Sequence, residues 1–371
     1  MKTLSNLAVA SFLLAIFCSC GAQKGSGTRS LADQQTICIQ TFNAYGPAYS
    51  RNLTGRSSAV GSLLMESPCE VVQFQEVWSA AHYQSVSNEI RLSLPNLSAS
   101  RADNLQSPYL GQSGLAIFTS DFLISQSFEK FTINSDGVFD QVRGVLGVIK
   151  GFAWSKIMLR RDDASSIDMI NLHLHPDSVP VRIAQVVQLL EKFESLLPLS
   201  APVMVTGDFN FKPNSVEYEL FKNVGAFTDS YVENHGGYTS LTCTYCDYNP
   251  QHWGGGSRVI DYIWIRSSKL QKIKSTSSLI NLKKYGDIIP SDHFGLRANI
   301  ELVTEAGSVV SNEVHYARAA QAGRSVVKAI EILEQADEET YADVIAKLRR
   351  YRTRLLAFDP SDPIVQQLII P

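Results

Sequence analysis

The sequence predicts an α/β or α+β sandwich, because many short strands are interleaved with helical patterns along most of the chain. Runs rich in β-branched and aromatic residues recur, and turn residues separate them. We predict strands over 36–42, 71–76, 113–119, 144–150, 167–174, 202–206, 258–265 and 294–302. So many strands mixed with helices argue against a helical bundle.

One helix between two of these strands is specified by the spacing of its apolar residues. The apolar residues at helical intervals are Ile183, Val186, Val187, Leu190, Phe193 and Leu197. Asp177 and Ser178 are suitable N-caps, and Pro180 suits the first turn, so the pattern predicts a helix over 178–197. Its apolar stripe must pack against a sheet.

The composition changes from about residue 306 to Ala, Glu, Arg and Lys with helical periodicity. We predict one helix over 308–335 and a second that ends before Pro360. The apolar face of the second helix contains Tyr341, Val344, Ile345, Leu348 and Leu355. The chain therefore divides into an α/β domain over 36–303 and a helical extension over 304–371, which docks on that domain or on a partner.

The charge balance limits the classes of partner. The chain has 371 residues, of which 44% are apolar and 19% charged, a globular composition that excludes an extended disordered chain. Its 33 basic and 36 acidic residues give a net charge of −3, so no global basic field attracts nucleic acid. Binding to nucleic acid would need a local basic groove.

The N-terminus has the pattern of an export signal. Residues 1–20 carry a positive charge near their start, at Lys2, and then an apolar run that is too short to span a bilayer. The end of this segment, Phe17-Cys18-Ser19-Cys20-Gly21, resembles the lipobox of bacterial lipoproteins. That resemblance implies acylation of Cys20 and anchoring to a bacterial membrane through the flexible segment 21–35. Plain secretion is the alternative, because Phe17 occupies a position where the lipobox usually has Leu.

Export would expose the remaining cysteines to an oxidising compartment. The sequence spacing of Cys38, Cys69, Cys243 and Cys246 does not determine how they pair. For the pair Cys243 and Cys246 we expect a local disulfide or two free thiols rather than a zinc site, because no second cysteine pair accompanies them. Cys38 and Cys69 lie near strand starts and are expected to be core residues.

Polar residues of a few types occur where the predicted strands begin or end, and inside one of them. They are Asn43, Glu76, His173, Asp208, Asn210, Asp261, Asp292 and His293. A single Asp or Asn after a strand is usually a turn former. That explanation would have to apply separately to each of these residues, whereas strand ends in an α/β core meet at one rim. The pattern therefore predicts one shared site.

The residue types at this site suit the hydrolysis of a phosphodiester. Carboxylate and amide oxygens are the ligands that Mg²⁺ prefers, and an imidazole paired with a carboxylate is a general base. Hydrolysis requires neutralised phosphate oxygens, an activated water and a stabilised leaving oxygen. The predicted set contains groups for all three tasks.

Ordered motifs across residues 37–302 resemble those of the endonuclease/exonuclease/phosphatase superfamily. They are Thr41-Phe42-Asn43, Gln75-Glu76, His173, Gly207-Asp208-Phe209-Asn210, Asp261 and Ser291-Asp292-His293. Four runs are similar to neutral sphingomyelinases, namely Phe74-Gln75-Glu76-Val77-Trp78, Asn171-Leu172-His173-Leu174-His175, Ser257-Arg258-Val259-Ile260-Asp261-Tyr262 and Ser291-Asp292-His293-Phe294. The resemblance implies a four-layer α/β/β/α sandwich of two mixed sheets.

The same resemblance implies a role for each site residue. Glu76 is expected to be the principal Mg²⁺ ligand, with Asn43 and Asp292 beside it and Mn²⁺ as a substitute metal. His293 would take a proton from the attacking water and Asp261 would hold His293. The remaining roles fall to Asp208, which would orient the water or bind metal, and to Asn210 and His173, which would bind phosphoryl oxygens.

These roles imply a Mg²⁺-dependent phosphodiesterase that acts on sphingomyelin or a related membrane phospholipid. The first alternative is a secreted nuclease that uses the same residues on nucleic acid. The second is a surface lipoprotein that binds a lipid or a partner without catalysis. The sequence does not predict an oligomeric state.

Three further features of the sequence have two readings each. His175 lies in the loop near the phosphate or is exposed. Trp253, beside the glycine run 254–256, is an exposed interfacial aromatic residue or a packed one. Lys283 and Lys284 contact lipid headgroups or nucleic acid, or are ordinary solvated surface.

Overall fold

Two six-stranded mixed sheets form the centre of the molecule. The structure is a computed structural model that describes residues 35–46, 50–101, 113–134, 149–160, 165–196, 201–269, 271–303 and 312–369. The predicted export signal, Cys20 and the segment 21–34 therefore lie outside the described residues.

The twelve strands of the described chain alternate with eight helices. The strands are β1 Gln35–Asn43, β2 Val71–Gln75, β3 Ser98–Ser100, β4 Ala116–Thr119, β5 Phe122–Lys130, β6 Gly151–Met158, β7 Ser166–His173, β8 Val203–Asp208, β9 Thr228–Asp229, β10 Asp261–Arg266, β11 Lys272–Asn281 and β12 Gly295–Val303. The helices are α1 Leu53–Glu66, α2 Ala80–Ser93, α3 Val179–Ser195, α4 Val216–Val224, α5 Ser230–His235, α6 Asn312–Asp337, α7 Ala342–Ala357 and α8 Pro363–Ile369.

The strand order places β1 and β2 at the centre of the first sheet and β7 and β8 at the centre of the second. The first sheet has the order β11-β12-β1-β2-β4-β3, and the second has the order β5-β6-β7-β8-β10-β9. In each sheet one parallel pair lies at the centre, β1 with β2 and β7 with β8, and the other pairs are antiparallel.

Three apolar clusters define the layers of the fold. The cluster between the sheets includes Ile39, Val71, Met169, Ile263 and Ile300. A second cluster packs α1 and α2 on the outer face of the first sheet, and a third packs α3 and α4 on the outer face of the second. The protein is therefore the four-layer α/β/β/α sandwich that the motif resemblance implied.

Most of the predicted strands are present in the structure. Seven correspond to β1, β2, β4, β7, β8, β10 and β12, and the predicted helix over 178–197 corresponds to α3. The strand predicted over 144–150 lies mostly outside the described residues. The sequence analysis missed β3, β5, β6, β9 and β11. β3 and β9 are short, and β5 and β11 lie at sheet edges, where apolar alternation is weak. β6 begins directly after the strand predicted over 144–150.

The C-terminal helices pack on the outer helices of the second sheet. Ala322, Val326 and Leu348 belong to the same buried cluster as α3 and α4. At the edge of this contact the Lys347 ammonium lies 2.7 Å from the carboxylate of Glu191. The extension thus forms an additional layer against the α/β domain. Within the described residues, none of the helices combines the length and apolarity that a membrane crossing requires.

The four cysteines form two disulfides, Cys38–Cys69 and Cys243–Cys246. The second was one of the two expected states for that pair. Cys38 and Cys69 are buried as predicted, but they are also bonded to each other. Parallel pairing of β1 with β2 brings these two positions together, with Cα atoms 4.7 Å apart, a proximity that sequence spacing does not reveal.

Candidate active site

Three adjacent strands of the second sheet align three of the predicted site residues in one row. In the strand register, His173 at the end of β7 pairs with Asp208 at the end of β8. Asp208 in turn pairs with Asp261, the first residue of β10. Since β10 runs antiparallel to β8, the start of one strand and the end of the other lie at the same edge.

The approach of β7 to β8 requires glycine at one position in this row. Gly207 has φ 143°, in the region that favours glycine. A Cβ atom built there would lie 2.0 Å from the carbonyl oxygen of Leu172 on β7. The glycine before Asp208 therefore allows the close contact that aligns Asp208 with His173.

The first sheet supplies the opposite wall of the site. Asn43 ends β1, and Glu76 follows β2 with φ 61°, a left-handed conformation that is uncommon for a non-glycine residue. The Asn43 amide donates a 2.9 Å hydrogen bond across the sandwich to the Asp208 carboxylate, and its oxygen accepts one from the Tyr45 amide. The site thus lies where the central strands of both sheets end.

The loop before β12 adds His293, the residue that the motif resemblance implied as the base. The imidazole Nδ1 of His293 lies 2.8 Å from the Asp261 carboxylate, and both residues are buried. The other ring nitrogen, Nε2, lies 3.8 Å from Asp208. Ser291 holds this loop in place, because its hydroxyl donates to the Asn43 carbonyl and accepts from the His293 amide.

Asn210 and Asp292 complete the predicted set. The Asn210 side chain donates to the carbonyl of Leu174, 3.1 Å away, and its backbone amide donates to the Asp208 carboxylate. Asp292 is buried directly before His293 and interacts electrostatically with Glu76. All eight predicted residues therefore surround one location.

Burial and mutual charge shift the pKa values of these groups. Burial alone would lower the pKa of His293, but the carboxylates of Asp261, Asp208 and Asp292 outweigh it and raise that pKa well above its ordinary value. Burial raises the pKa of Asp208 to about 7, and the charges of Asp261 and Glu76 add to the effect. Burial likewise raises the pKa of Asp292 to about 6.

His173 has the opposite electrostatic character. Burial, followed by the positive charges of Lys150 and His293, lowers its pKa well below the ordinary value, so the ring is neutral. The Lys150 ammonium lies 2.5 Å from Nε2 of His173. Because an ammonium can only donate, Nε2 accepts and the ring proton resides on Nδ1.

The donor set fits a hard divalent cation. Glu76, His173 and Asp208 each place one ligand atom within 4.8 Å of the others. Because Nε2 of His173 accepts from Lys150, the carboxylates of Glu76 and Asp208 are the donors of this group that remain for a cation. Four carboxylates, those of Glu76, Asp208, Asp261 and Asp292, surround the site, and the side chain of Glu76 is 20% exposed whereas that of Asp208 is 2% exposed. Buried carboxylates are normally paired or bound to metal, and oxygen donors of this kind suit Mg²⁺.

Lys150 is a site residue that the sequence analysis missed. It precedes Gly151, the residue of β6 that pairs with His173 in the register. Its ammonium also lies 5.7 Å from the ring centroid of Trp78. The sequence predicts a strand over 144–150, which puts residue 150 at a strand end, whereas the structure puts it directly before β6 and beside His173.

Two residues that support the site, Arg56 and Asn171, were also missed. Arg56 is buried and donates to the carbonyls of Ala44, Tyr45 and Pro290, which joins the loop after Asn43 to the loop before Asp292. Between the sheets, Asn171 donates to the carbonyls of Phe74 and Ala116 and accepts from Gln75. The sequence carries no local signal for contacts between such distant positions.

The structure decides between the two interpretations for His175 and for Trp253, and it describes the surroundings of Lys283 and Lys284. His175 is buried, and its Nδ1 accepts from the amides of Asp177 and Ser178, so the exposed reading is wrong. Trp253 is 67% exposed, so the packed reading is wrong, and its indole nitrogen donates to the hydroxyl of Tyr45 at the rim. Lys283 and Lys284 are both exposed.

Comparison with known proteins identifies the family. The model of the Endonuclease/Exonuclease/phosphatase family matches residues 41–293, and the chain belongs to that family. A curated relative, the inositol phosphosphingolipids phospholipase C of Schizosaccharomyces pombe, is 24% identical over 311 residues, which cover 75% of this chain and 71% of the relative. The chain is therefore a hydrolase of the phosphoesterase type.

Solved structures share the fold. TDP2 of D. rerio, crystallised with a single-strand DNA product, aligns with a TM-score of 0.56 at 17% identity, over 71% of this chain and 98% of that one. The mannosyl-6-phosphatase of Bacteroides thetaiotaomicron aligns with a TM-score of 0.53 at 18% identity, over 72% of this chain and 99% of its own. At these identities the likeness concerns the fold alone.

Proposed function

We propose that this protein is a Mg²⁺-dependent phosphodiesterase that cleaves the headgroup phosphodiester of a sphingolipid. The observation that carries the proposal is that all of these polar groups meet at one place. The second sheet contributes the row His173, Asp208 and Asp261. His293 contacts Asp261, and Asn43 from the first sheet contacts Asp208 beside Glu76. The name of the yeast relative supports a sphingolipid substrate.

His293 is the base in this proposal. The Asp261 carboxylate accepts a hydrogen bond from Nδ1, which fixes the tautomer and leaves Nε2 to take a proton from the attacking water. Water adds to phosphorus as its proton passes to His293, the bond from phosphorus to the ceramide oxygen breaks, and that oxygen takes a proton from solvent and leaves as the ceramide hydroxyl. Asp208, 3.8 Å from Nε2, orients the water.

Lys150 and Asn210 stabilise the phosphoryl oxygens as negative charge develops. The Lys150 ammonium is held at the site by His173 and is positioned to meet an anionic group. The Asn210 side chain uses one of its two amide protons on Leu174, so the second can point to a phosphate oxygen. His173 then positions Lys150 in addition to lining the phosphate site.

Glu76, with Asn43 and Asp292 beside it, would hold the cation. Bound there, Mg²⁺, or Mn²⁺ in its place, would neutralise phosphate oxygens and stabilise the leaving oxygen. The cation would also offset the carboxylates that raise the pKa of His293, which favours the neutral ring that a base requires.

The experiment that tests this function uses the purified full-length chain. It is offered vesicles containing sphingomyelin, vesicles containing inositol phosphoceramide and single- and double-stranded DNA, each with Mg²⁺ or with EDTA. We expect ceramide and a phosphorylated headgroup as products, formed only with Mg²⁺. The released headgroup, phosphocholine or phosphoinositol, then identifies the preferred lipid.

Two variants control this experiment. His293→Ala should lower turnover by several orders of magnitude, whereas replacement of the exposed His235 by Ala should leave it unchanged. Cleavage of DNA with the same dependence on Mg²⁺ and His293 would replace the lipid proposal with the nuclease alternative. Lipid binding without hydrolysis would instead favour the binding lipoprotein.

We also propose that the chain is exported and attached to a membrane surface through an acyl group on Cys20. The N-terminal pattern over residues 1–21 supports this proposal. Growth of a bacterial expression host with an alkyne-labelled fatty acid should label the protein, and Cys20→Ser should abolish the label. Equal labelling of both chains would contradict the anchor at this residue.

A further inference from the structure

The turn closed by the disulfide Cys243–Cys246 lies directly against the proposed catalytic pair. Its two inner residues are Thr244 and Tyr245, which are both buried. Tyr245 forms bridges in the backbone pairing with Arg258 on one side and with His293 on the other. The turn therefore lies between the chain that leads to Asp261 and the loop that carries His293.

Thr244 accepts hydrogen bonds from the backbone of both of these segments. Its hydroxyl oxygen accepts hydrogen bonds from the amides of Ile260 and Asp261, at 3.1 and 3.2 Å. Its carbonyl accepts a 2.7 Å hydrogen bond from the amide of Phe294, the residue after His293. One residue thus links the backbone of Asp261 to the backbone beside His293.

Tyr245 packs against the imidazole ring of His293. Its ring lies 5.1 Å from the ring of His293 in an edge-to-face arrangement. On its other sides it contacts the His252 ring at 4.3 Å and the Arg258 guanidinium at 4.7 Å. The ring that contacts His293 is therefore itself held in place on several sides.

We propose that this disulfide-closed turn positions the His293 and Asp261 pair, with Thr244 as its positioning residue. The proposal rests on the proposed function in one respect, the role of His293 as the base. Displacement of a catalytic group by about 1 Å can cost about a hundredfold in rate. The 2.8 Å contact between His293 and Asp261 depends on the relative position of two backbone segments, and Thr244 sets that position.

The decisive variants are Thr244→Val and Thr244→Ser. Valine keeps the shape of threonine but removes the hydroxyl oxygen, so the amides of Ile260 and Asp261 lose their acceptor. Serine retains that oxygen and should restore the function. Thr239→Val is the matched control, because Thr239 is an exposed threonine in the same loop. Among the residues that the structure describes, its hydroxyl bonds within the loop to Thr242 and Leu241.

Steady-state kinetics on the chromogenic diester bis(p-nitrophenyl) phosphate separate positioning from binding. For Thr244→Val we expect kcat to fall about 10- to 100-fold, with KM changed less than about threefold. Thr244→Ser should recover kcat to within about threefold, and Thr239→Val should match the parent chain. An unchanged kcat in Thr244→Val, or no recovery with serine, would overturn the proposal.

A measurement without substrate keeps this test independent of the proposed function. The Nδ1 proton between His293 and Asp261 should give a downfield proton NMR resonance in the parent chain, absent in His293→Ala. It should be shifted or broadened in Thr244→Val and restored in Thr244→Ser. If all chains are inactive on lipid and diester yet this pattern holds, the proposed function fails and the positioning role stands. An unchanged resonance in Thr244→Val overturns the positioning role.

The two disulfides provide a second comparison for the case that Thr244→Val does not fold. Cys243→Ser with Cys246→Ser opens the turn, whereas Cys38→Ser with Cys69→Ser opens a disulfide between β1 and the start of β2. At equal folded fraction, only the first pair should lower kcat and alter the His293 resonance. Equal effects of the two pairs, or none from the first, would overturn the proposal.

Discussion

The Lys150 ammonium lies 2.5 Å from the imidazole Nε2 of His173, and both groups face the carboxylates of the site. The ammonium charge is one cause of the lowered pKa of His173. A neutral histidine that accepts from a lysine holds the ammonium in a fixed orientation. This pair gives the site a positive group that does not depend on a bound cation.

Replacement of Lys150 by Met should reduce kcat/KM by about a hundredfold, because a preorganised donor to a developing phosphoryl charge is lost. Lys150→Arg should retain more activity, since it keeps the charge. Lys130→Met is the control, because Lys130 is exposed on the neighbouring strand β5 and pairs with Gly151. Equal activity of the Met and parent chains would remove Lys150 from the reaction.

Glu76→Gln should raise the Mg²⁺ concentration for half-maximal activity at least tenfold, because an amide oxygen is a weaker ligand than a carboxylate for a hard cation. Calorimetric titration of the chain with Mg²⁺ in the absence of substrate should show the same loss of affinity. Glu66→Gln, at an exposed position near the end of α1, is the control. A titration that matches the parent would show that Glu76 is not a ligand.

Arg56→Lys should lower the free energy of unfolding by about 3 kcal/mol, because charge-assisted hydrogen bonds contribute about 1.5–3 kcal/mol each and lysine cannot reproduce the planar set. In the parent chain the Arg56 guanidinium donates hydrogen bonds to the carbonyls of Ala44, Tyr45 and Pro290. Urea unfolding measures the change, with Arg51→Lys at an exposed position as the control. A loss below about 0.5 kcal/mol would show that water replaces these contacts.

The sequence was sufficient to predict that eight polar residues lie near one another, but not which contacts hold them there. Asn43, Glu76 and His173 were predicted from their places at strand ends, because the ends of neighbouring strands necessarily meet. Arg56 and Thr244 form their hydrogen bonds mainly to backbone groups of distant segments, 234 residues apart for Arg56 and Pro290. A backbone carbonyl or amide has no sequence signature, so such contacts become apparent only from the fold.

The edge strands were missed for a related physical reason. β11 contains the run Ser275-Thr276-Ser277-Ser278, and its register shifts between Ser275 and Ser277. Such a strand lies at a sheet edge, where pairing with one neighbour suffices and apolar alternation is weak. The central strands β1, β2, β7 and β8 are buried on both faces, so their apolar runs are continuous and easily recognised.

Asp229→Asn should change how stability depends on pH. Burial raises the pKa of Asp229 above its ordinary 3.8, although its carboxylate accepts from the hydroxyls of Tyr218 and Tyr238. A raised folded pKa means that this group stabilises the fold below pH 3.8 and that the contribution is lost as pH rises through the folded pKa. Asparagine cannot ionise and still caps α5, so the parent chain should lose stability relative to Asp229→Asn as the pH rises from 3.5 to 7, as measured by thermal unfolding. A difference in Tm that is constant across this range would show that Asp229 has an ordinary pKa in the folded protein.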